Sequence, residues 1–242
     1  MTMKRKFLVF QHTPWEGPGR HLVNSSKKRK IRLDVACVWR EPVPDVSQHD
    51  AIVVLGGTPN VSEEDRYPFL RDEKRAIREA IALNKPYLGF CLGHQLLGSV
   101  LGAGVGPNFC RSIGFIQGQL TRDGRNHPVF ADLPNTFNLF KWHSQALMPP
   151  FPKEMEILAT SADCQIESIS LKGKPHIVGF QFDNYAAAYH DVCEWIEGDR
   201  QWLEESRIDC DQLRRTARLQ EQLMEVQFEL IFDNFVNLIY RE

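Results

Sequence analysis

The sequence predicts an α/β protein built on a doubly wound, mainly parallel sheet with helices on both faces. Three observations carry that expectation. Short apolar runs at 6–11, 31–39, 51–55 and 87–90 alternate with stretches of helical periodicity. The run at 51–55 ends in a glycine pair, Gly56-Gly57, and the C-terminal edge of such strands is where open α/β sheets bind ligands. The run at 87–90 passes into a helical pattern over 92–101, with Cys91 at the joint and Gly89 and Gly93 on either side.

The first strand, 6–11, is followed by Thr13-Pro-Trp-Glu-Gly-Pro-Gly19, a loop dense in turn residues that hands over to a helix near 21–25. Ser25-Ser-Lys-Lys-Arg-Lys30 is basic, and a block this short reads as a solvated helix end ahead of a nucleic-acid signal. The second strand is 31–39, with Cys37 expected in the core. The loop Glu41-Pro-Val-Pro-Asp45 leads to the third strand at 51–55, and 72–84 is an amphipathic helix feeding the strand at 87–90.

Beyond that point the order changes. Leu101-Gly-Ala-Gly-Val-Gly-Pro107 follows a helix rather than a strand, so a helix stop with a turn is favoured over phosphate binding. Short strands at 113–121, 137–142 and 156–161 form a small antiparallel excursion. Residues 165–176 read as a hairpin and 177–182 as its returning strand. The tail, 186–242, is helical, charged and free of proline. Phe228, Ile231, Phe232, Phe235, Leu238 and Ile239 form one apolar stripe; Leu219, Leu223, Val226 and Leu230 form another. We expect a single domain over 1–242, with a core at 1–185 and a helical extension at 186–242.

Length and composition set the limits. The chain has 242 residues, 43% apolar and 25% charged, enough for a sizeable core. A net charge of −2 implies neither a nucleic-acid nor a membrane partner, and no apolar run reaches the length of a membrane span. The basic start Met1-Thr-Met-Lys-Arg-Lys6 precedes an apolar run too short for a signal peptide, so a cytoplasmic location is expected. Six cysteines (37, 91, 110, 164, 193, 210) are scattered with no Cys-x-x-Cys pair. That spacing argues for reduced thiols and against a disulfide frame or a zinc site. No metal and no cofactor are expected.

Cys91 is the candidate for chemistry. A cysteine at a sharp strand-to-helix joint has the geometry of a nucleophile elbow, with sulfur near the first N–H groups of a helix. That positive end favours thiolate. The alternative is an inert buried cysteine, the usual fate of the residue in a core.

The neighbouring residues extend the pattern. Gly89-Phe-Cys91-Leu-Gly93-His-Gln95 resembles the Gly-x-Cys-x-Gly-x-Gln elbow of the class I glutamine amidotransferases. The double glycine at 56–57 and Ile177-Val-Gly-Phe-Gln-Phe182 resemble two further strands of that family. Phe10-Gln-His-Thr-Pro-Trp-Glu-Gly-Pro-Gly19 looks like its stand-alone, GMP-synthase-like members. The resemblance runs from about residue 6 to about residue 185 and implies a flavodoxin-like fold. It further implies a cysteine nucleophile at Cys91 and an oxyanion hole from the N–H groups of Gly57 and Leu92. Gly56 and Gln95 fall in the substrate pocket, and the substrate is glutamine or a γ-glutamyl compound. A separate synthetase or another protein is the partner it suggests.

The sequence departs from the family at one place. Where the family continues Gly-x-Gln-Phe-His-Pro-Glu, this chain reads Gly179-Phe-Gln-Phe-Asp183-Asn184-Tyr185. Asp183 occupies the slot of the general base and Tyr185 that of its orienting glutamate. An aspartate beside a thiol raises the thiol pKa and is a poor proton donor at neutral pH. Loss of a positioned acid and base costs about 100- to 10,000-fold in rate. His143, His176 and His190 are available as substitutes; His94, three residues past Cys91, reads as structural. Two functions stay open: an amidotransferase-type enzyme with weak glutaminase activity, or a degenerate member that binds a ligand or partner, with oxidation sensing by Cys91 as a variant.

Overall fold

A computed structural model gives the arrangement of residues 5–240; positions 1–4, which hold most of the basic start, and positions 241–242 lie outside the described residues. One nine-stranded sheet organises the chain. Its strands are β1 (Arg5–Gln11), β2 (Ile31–Cys37), β3 (Ala51–Val54), β4 (Tyr87–Phe90), β5 (Gly104–Leu120), β6 (Thr136–Met148), β7 (Met155–Ser161), β8 (Ser168–Leu171) and β9 (Lys174–Phe180). Their order is β2-β1-β3-β4-β9-β8-β7-β5-β6. The first five in that order pair in parallel and the remainder antiparallel. This is the expected flavodoxin-like, doubly wound α/β fold with its antiparallel excursion.

Strand alternation builds two cores. In β1, Phe7 and Val9 join a core with Leu88, Phe90 and Phe180, covered by Phe228, Ile231, Phe232 and Phe235 of the long helix α7 (Cys210–Ile239). Leu8 and Phe10 point the other way, onto Leu70 and Ile77 of α2 (Phe69–Ala82) and Leu96 and Leu97 of α3 (Leu92–Leu101). Every residue of β3 and β4 is buried, as strands covered on both faces must be. The remaining helices are α1 (Arg20–Lys28), α4 (Arg122–Asn126), α5 (Tyr189–Gly198) and α6 (Arg200–Glu205).

Four expectations are corrected. Cys37 is half-buried rather than in the core, because it ends β2 at the sheet edge. Gly102 does stop α3 in a left-handed conformation (φ 105°), yet the rest of the glycine-rich stretch is already strand. There β5 pairs with β6 along nearly its whole length, with a register shift between Pro107 and Ser112. The hairpin turns at Gly173 (φ 75°), so the returning strand β9 begins at Lys174, three residues before the expected start at 177. In the tail, the stripe around Phe228 packs on the sheet, but Leu219, Leu223 and Val226 are exposed, at 85%, 47% and 59%. They lie on the side of α7 away from the sheet.

Candidate functional site

Between β4 and α3 the chain makes the elbow. Cys91 sits there at φ 44°, ψ −101°, a conformation that non-glycine residues seldom adopt. Two contacts hold it: its N–H donates to the Phe180 carbonyl at 2.8 Å, and its carbonyl accepts from Gln95 N–H at 3.0 Å. The flanking glycines are required by space. A Cβ on Gly93 would lie 2.2 Å from the Val54 carbonyl oxygen, and one on Gly89 would lie 2.7 Å from the Gly93 backbone.

The sulfur faces a cavity of about 280 Å³ at the C-terminal edge of the parallel strands. Gly57, Gln95, Trp142, His143, Glu16 and Asp199 line it with Cys91. Cys91 is 7% exposed, and its thiol donates to the Trp142 carbonyl at 3.9 Å. Gln95 donates to the Gln145 carbonyl and to Gln181 Oε1, at 3.0 and 3.2 Å, which fixes its amide on the wall.

Gly56 is the hub of the charge arrangement. A Cβ placed there would lie 3.1 Å from Glu16 Oε2, 3.2 Å from Asp183 Oδ1 and 3.5 Å from Cys91 Cβ. Two carboxyl groups and the thiol-bearing residue therefore surround one point. Asp183 is fully buried, and among the described residues neither of its carboxyl oxygens has a hydrogen-bond partner. Burial, with the Glu16 carboxyl behind it, pushes the Asp183 pKa well up. Tyr185 does not orient Asp183. Its hydroxyl accepts from Gly56 N–H at 3.4 Å, and its ring packs 4.6 Å from Phe90.

The electrostatics reverse the expectation of a ready thiolate. Burial first, then the Asp183 and Glu16 carboxyls, hold the Cys91 pKa well above a thiol's ordinary value. Lys141 and the Leu92 N–H act in the opposite direction, but more weakly. The helix terminus is present; it is outweighed.

Among the described residues no histidine makes a hydrogen bond to the sulfur; the thiol's partner is the Trp142 carbonyl. His143 lines the cavity with Nδ1 donating to the Gln145 carbonyl at 2.8 Å, and burial, with Lys141 nearby, keeps it neutral. His94 is fully buried against Gly179, its pKa lowered to about 3 by burial. His176 lies on β9 away from the cavity. His190 is exposed on α5, 3.7 Å from Glu194, in a different groove. His190, Asp191 and Glu194 bring their ligand atoms within 4.8 Å of one another, but Asp191 already accepts from Arg20 N–H at 2.6 Å.

Four groups escaped sequence reasoning. Glu16 sits in the loop after β1, where nothing in Trp15-Glu-Gly marks a buried acid. Asp199 joins α5 to α6 and accepts from Trp142 Nε1 at 2.8 Å. His12 bridges the Gly56 carbonyl (2.8 Å) and Glu73 (2.9 Å), bracing the glycine pair from below. Lys141, fully buried in β6, pairs with the buried Glu167. An isolated charge inside the apolar run Phe137-Asn-Leu-Phe-Lys141-Trp was the one available signal.

A doubly wound sheet with a cysteine at a strained elbow, beside a glycine-ended strand, defines a protein of the cysteine-elbow amidotransferase type. The sequence agrees: the model of the family "Glutamine amidotransferase class-I" matches residues 20–182, and the chain belongs to that family. A glutamine amidotransferase-like protein of Salmonella typhimurium, YfeJ, is 30% identical over 141 residues, covering 57% of each chain. The match thus spans little more than half of that relative's length. A subunit of the glutamine-hydrolyzing GMP synthase of Methanocaldococcus jannaschii is 28% identical over 143 residues, 58% of this chain and 69% of that one. Among solved structures, a glutamine amidotransferase of Thermotoga maritima superimposes with a TM-score of 0.86 at 25% identity, covering 96% of this chain and 98% of the other.

Proposed function

We propose that this amidotransferase-family chain holds glutamine or a γ-glutamyl compound against Cys91 but turns it over far more slowly than a cysteine–histidine site. The observation that carries the reading is the unpartnered, buried Asp183 carboxyl in the place of the family's base. Attack on an amide needs the thiol proton removed, and collapse of the adduct needs a proton delivered to the leaving nitrogen. A carboxyl held neutral by burial does the first badly. Ionised, it would oppose thiolate formation. Cys91, the N–H groups of Gly57 and Leu92 as oxyanion donors, and Gly56 and Gln95 as pocket residues are the parts assigned to binding.

Family membership supports glutamine as the ligand, and the relation to a GMP synthase subunit supports a synthetase partner. Among the described residues no helix is long and apolar enough to cross a membrane; a cytoplasmic location is part of the proposal. The reading is tested by alkylating the full chain with iodoacetamide and following the Cys91 peptide by mass spectrometry. Glutamine should slow modification of Cys91 in a saturable way and leave Cys37 and Cys193 unaffected. Equal modification of Cys91 at all glutamine concentrations would contradict it.

A further inference from the structure

The outward face of α7 carries a row of apolar side chains that no described element covers. Leu219, Leu223 and Val226 are exposed, and Leu230 closes the row half-buried. Scattered apolar residues are ordinary on a surface, but a contiguous row marks a contact. The steps between the four are four, three and four residues, the alternation of a coiled-coil seam. The seam positions next in line are polar at both ends, Thr216 before the row and Asp233 after it. The apolar part therefore runs over 219–230, about 17 Å of helix.

Charge on the flanks of the seam selects what covers it. On one side lie Arg215, Gln222 and Glu229, seven residues apart; on the other lie the neutral amides Gln220, Gln227 and Asn234. Each amide is already bonded to the body of the protein, Gln220 and Gln227 to Asn138 and Asn234 to the Val129 carbonyl. A second α7 laid antiparallel sets each flank against its own copy, reversed in direction. Arg215 then meets Glu229 of the partner subunit, Glu229 meets the partner's Arg215, and the two Gln222 side chains meet at the centre. A parallel pair would set the charged flank against the amides and match no charge. Glu229 and Arg215 have contacts within the chain, to Lys28 at 2.7 Å and to Asp209 at 4.0 Å, but their side chains stay 31% and 62% exposed. Both can take a second contact.

We propose that this face of α7 is the interface of a two-fold symmetric dimer of the chain, with the helices antiparallel across Leu219, Leu223, Val226 and Leu230. None of these residues lines the Cys91 cavity, so the inference does not depend on what that cavity binds. Four side chains per copy cover less than the roughly 800 Å² that a standard interface takes from each partner, so the dimer is weak and dissociates on dilution. Unfolding measured on the dilute, monomeric chain is insensitive to the row.

The test is sedimentation velocity on the full chain from low to high micromolar concentration, with circular dichroism to confirm that each variant is folded. The natural chain should pass from the mass of one copy towards that of two as concentration rises. Leu223→Glu should hold it at one copy throughout. Arg215→Glu and Glu229→Arg, each alone, should weaken the dimer about tenfold, because both ion pairs become like-charge contacts. Mixing those two variants should restore the natural affinity, because both pairs in the mixed dimer are again opposite in charge. A single-copy mass for the natural chain at every concentration overturns the inference. So does a dimer whose affinity Leu223→Glu leaves within twofold, because it would lie on another surface. A mixture no tighter than the single variants rules out the antiparallel arrangement.

Discussion

At the scale of single residues, the site turns on what surrounds Gly56. The missing side chain there leaves room for Asp183 and Glu16 on one side and Cys91 on the other, and a neutral carboxyl is the state that burial favours for both acids. This has a consequence for stability. In the unfolded chain Glu16 titrates near the ordinary carboxylate value of 4.5, whereas in the fold it titrates at about 8. Between those two values the folded state binds the extra proton. Its contribution is therefore complete below pH 4.5 and lost as pH rises through 8. Thermal midpoints recorded from about pH 5 to about pH 9 should fall with rising pH, and Glu16→Gln should flatten that decline. Parallel profiles for the two proteins would show that Glu16 is not the group responsible. The departure of Asp183 and Tyr185 from the family pattern is visible in the sequence. The acidic neighbour of Asp183 is not, because Glu16 lies 167 positions earlier and reaches the site only through the pairing of β1 with β3.

At the scale of elements, the elbow between β4 and α3 depends on close backbone packing, tied by the Tyr87 hydroxyl donating to the Gly93 carbonyl at 2.8 Å. Gly93→Ala would drive a methyl to within 2.2 Å of the Val54 carbonyl oxygen, against backbone that cannot yield cheaply. We expect a loss of about 3 kcal/mol in denaturant unfolding, at the upper end of overpacking costs. The two stripes of α7 give a contrast within one helix. Phe232, fully buried against Phe7 at 6.3 Å, should cost about 4 kcal/mol when cut to alanine. Leu219, 85% exposed, should change stability by less than about 0.5 kcal/mol. Equal effects would mean that α7 packs differently in solution. The sequence marked both stripes, since each has helical spacing, but periodicity alone cannot say which one meets the sheet. The long antiparallel strands were harder still. Glycines and Pro107 interrupt the start of β5, and only its pairing with β6, formed across the whole excursion, makes that segment a strand.

On the scale of the whole molecule, the parallel half supplies the elbow and the glycine pair, while the antiparallel half supplies Trp142 and His143 on the facing wall. The cavity exists only where the two meet. The parallel half and its elbow were legible from residue order, because strand and helix periods and turn glycines are local signals. The charge state of the site was not, because it arises from acids drawn from the loop after β1, the turn after β9 and the junction of α5 with α6. The helix terminus that would favour thiolate was foreseen, and burial with two carboxyls overrides it. The central claim is that Cys91 sits in an intact ligand cavity without a working base. Its most direct test is glutamate release from glutamine, compared among the natural protein, Cys91→Ala and Asp183→His. The natural protein should release glutamate only slightly faster than Cys91→Ala, and Asp183→His should exceed both by about 100-fold, the low end for a restored general base. Release by the natural protein that disappears in Cys91→Ala and gains nothing from Asp183→His would contradict the account, because a working base would then already be in place.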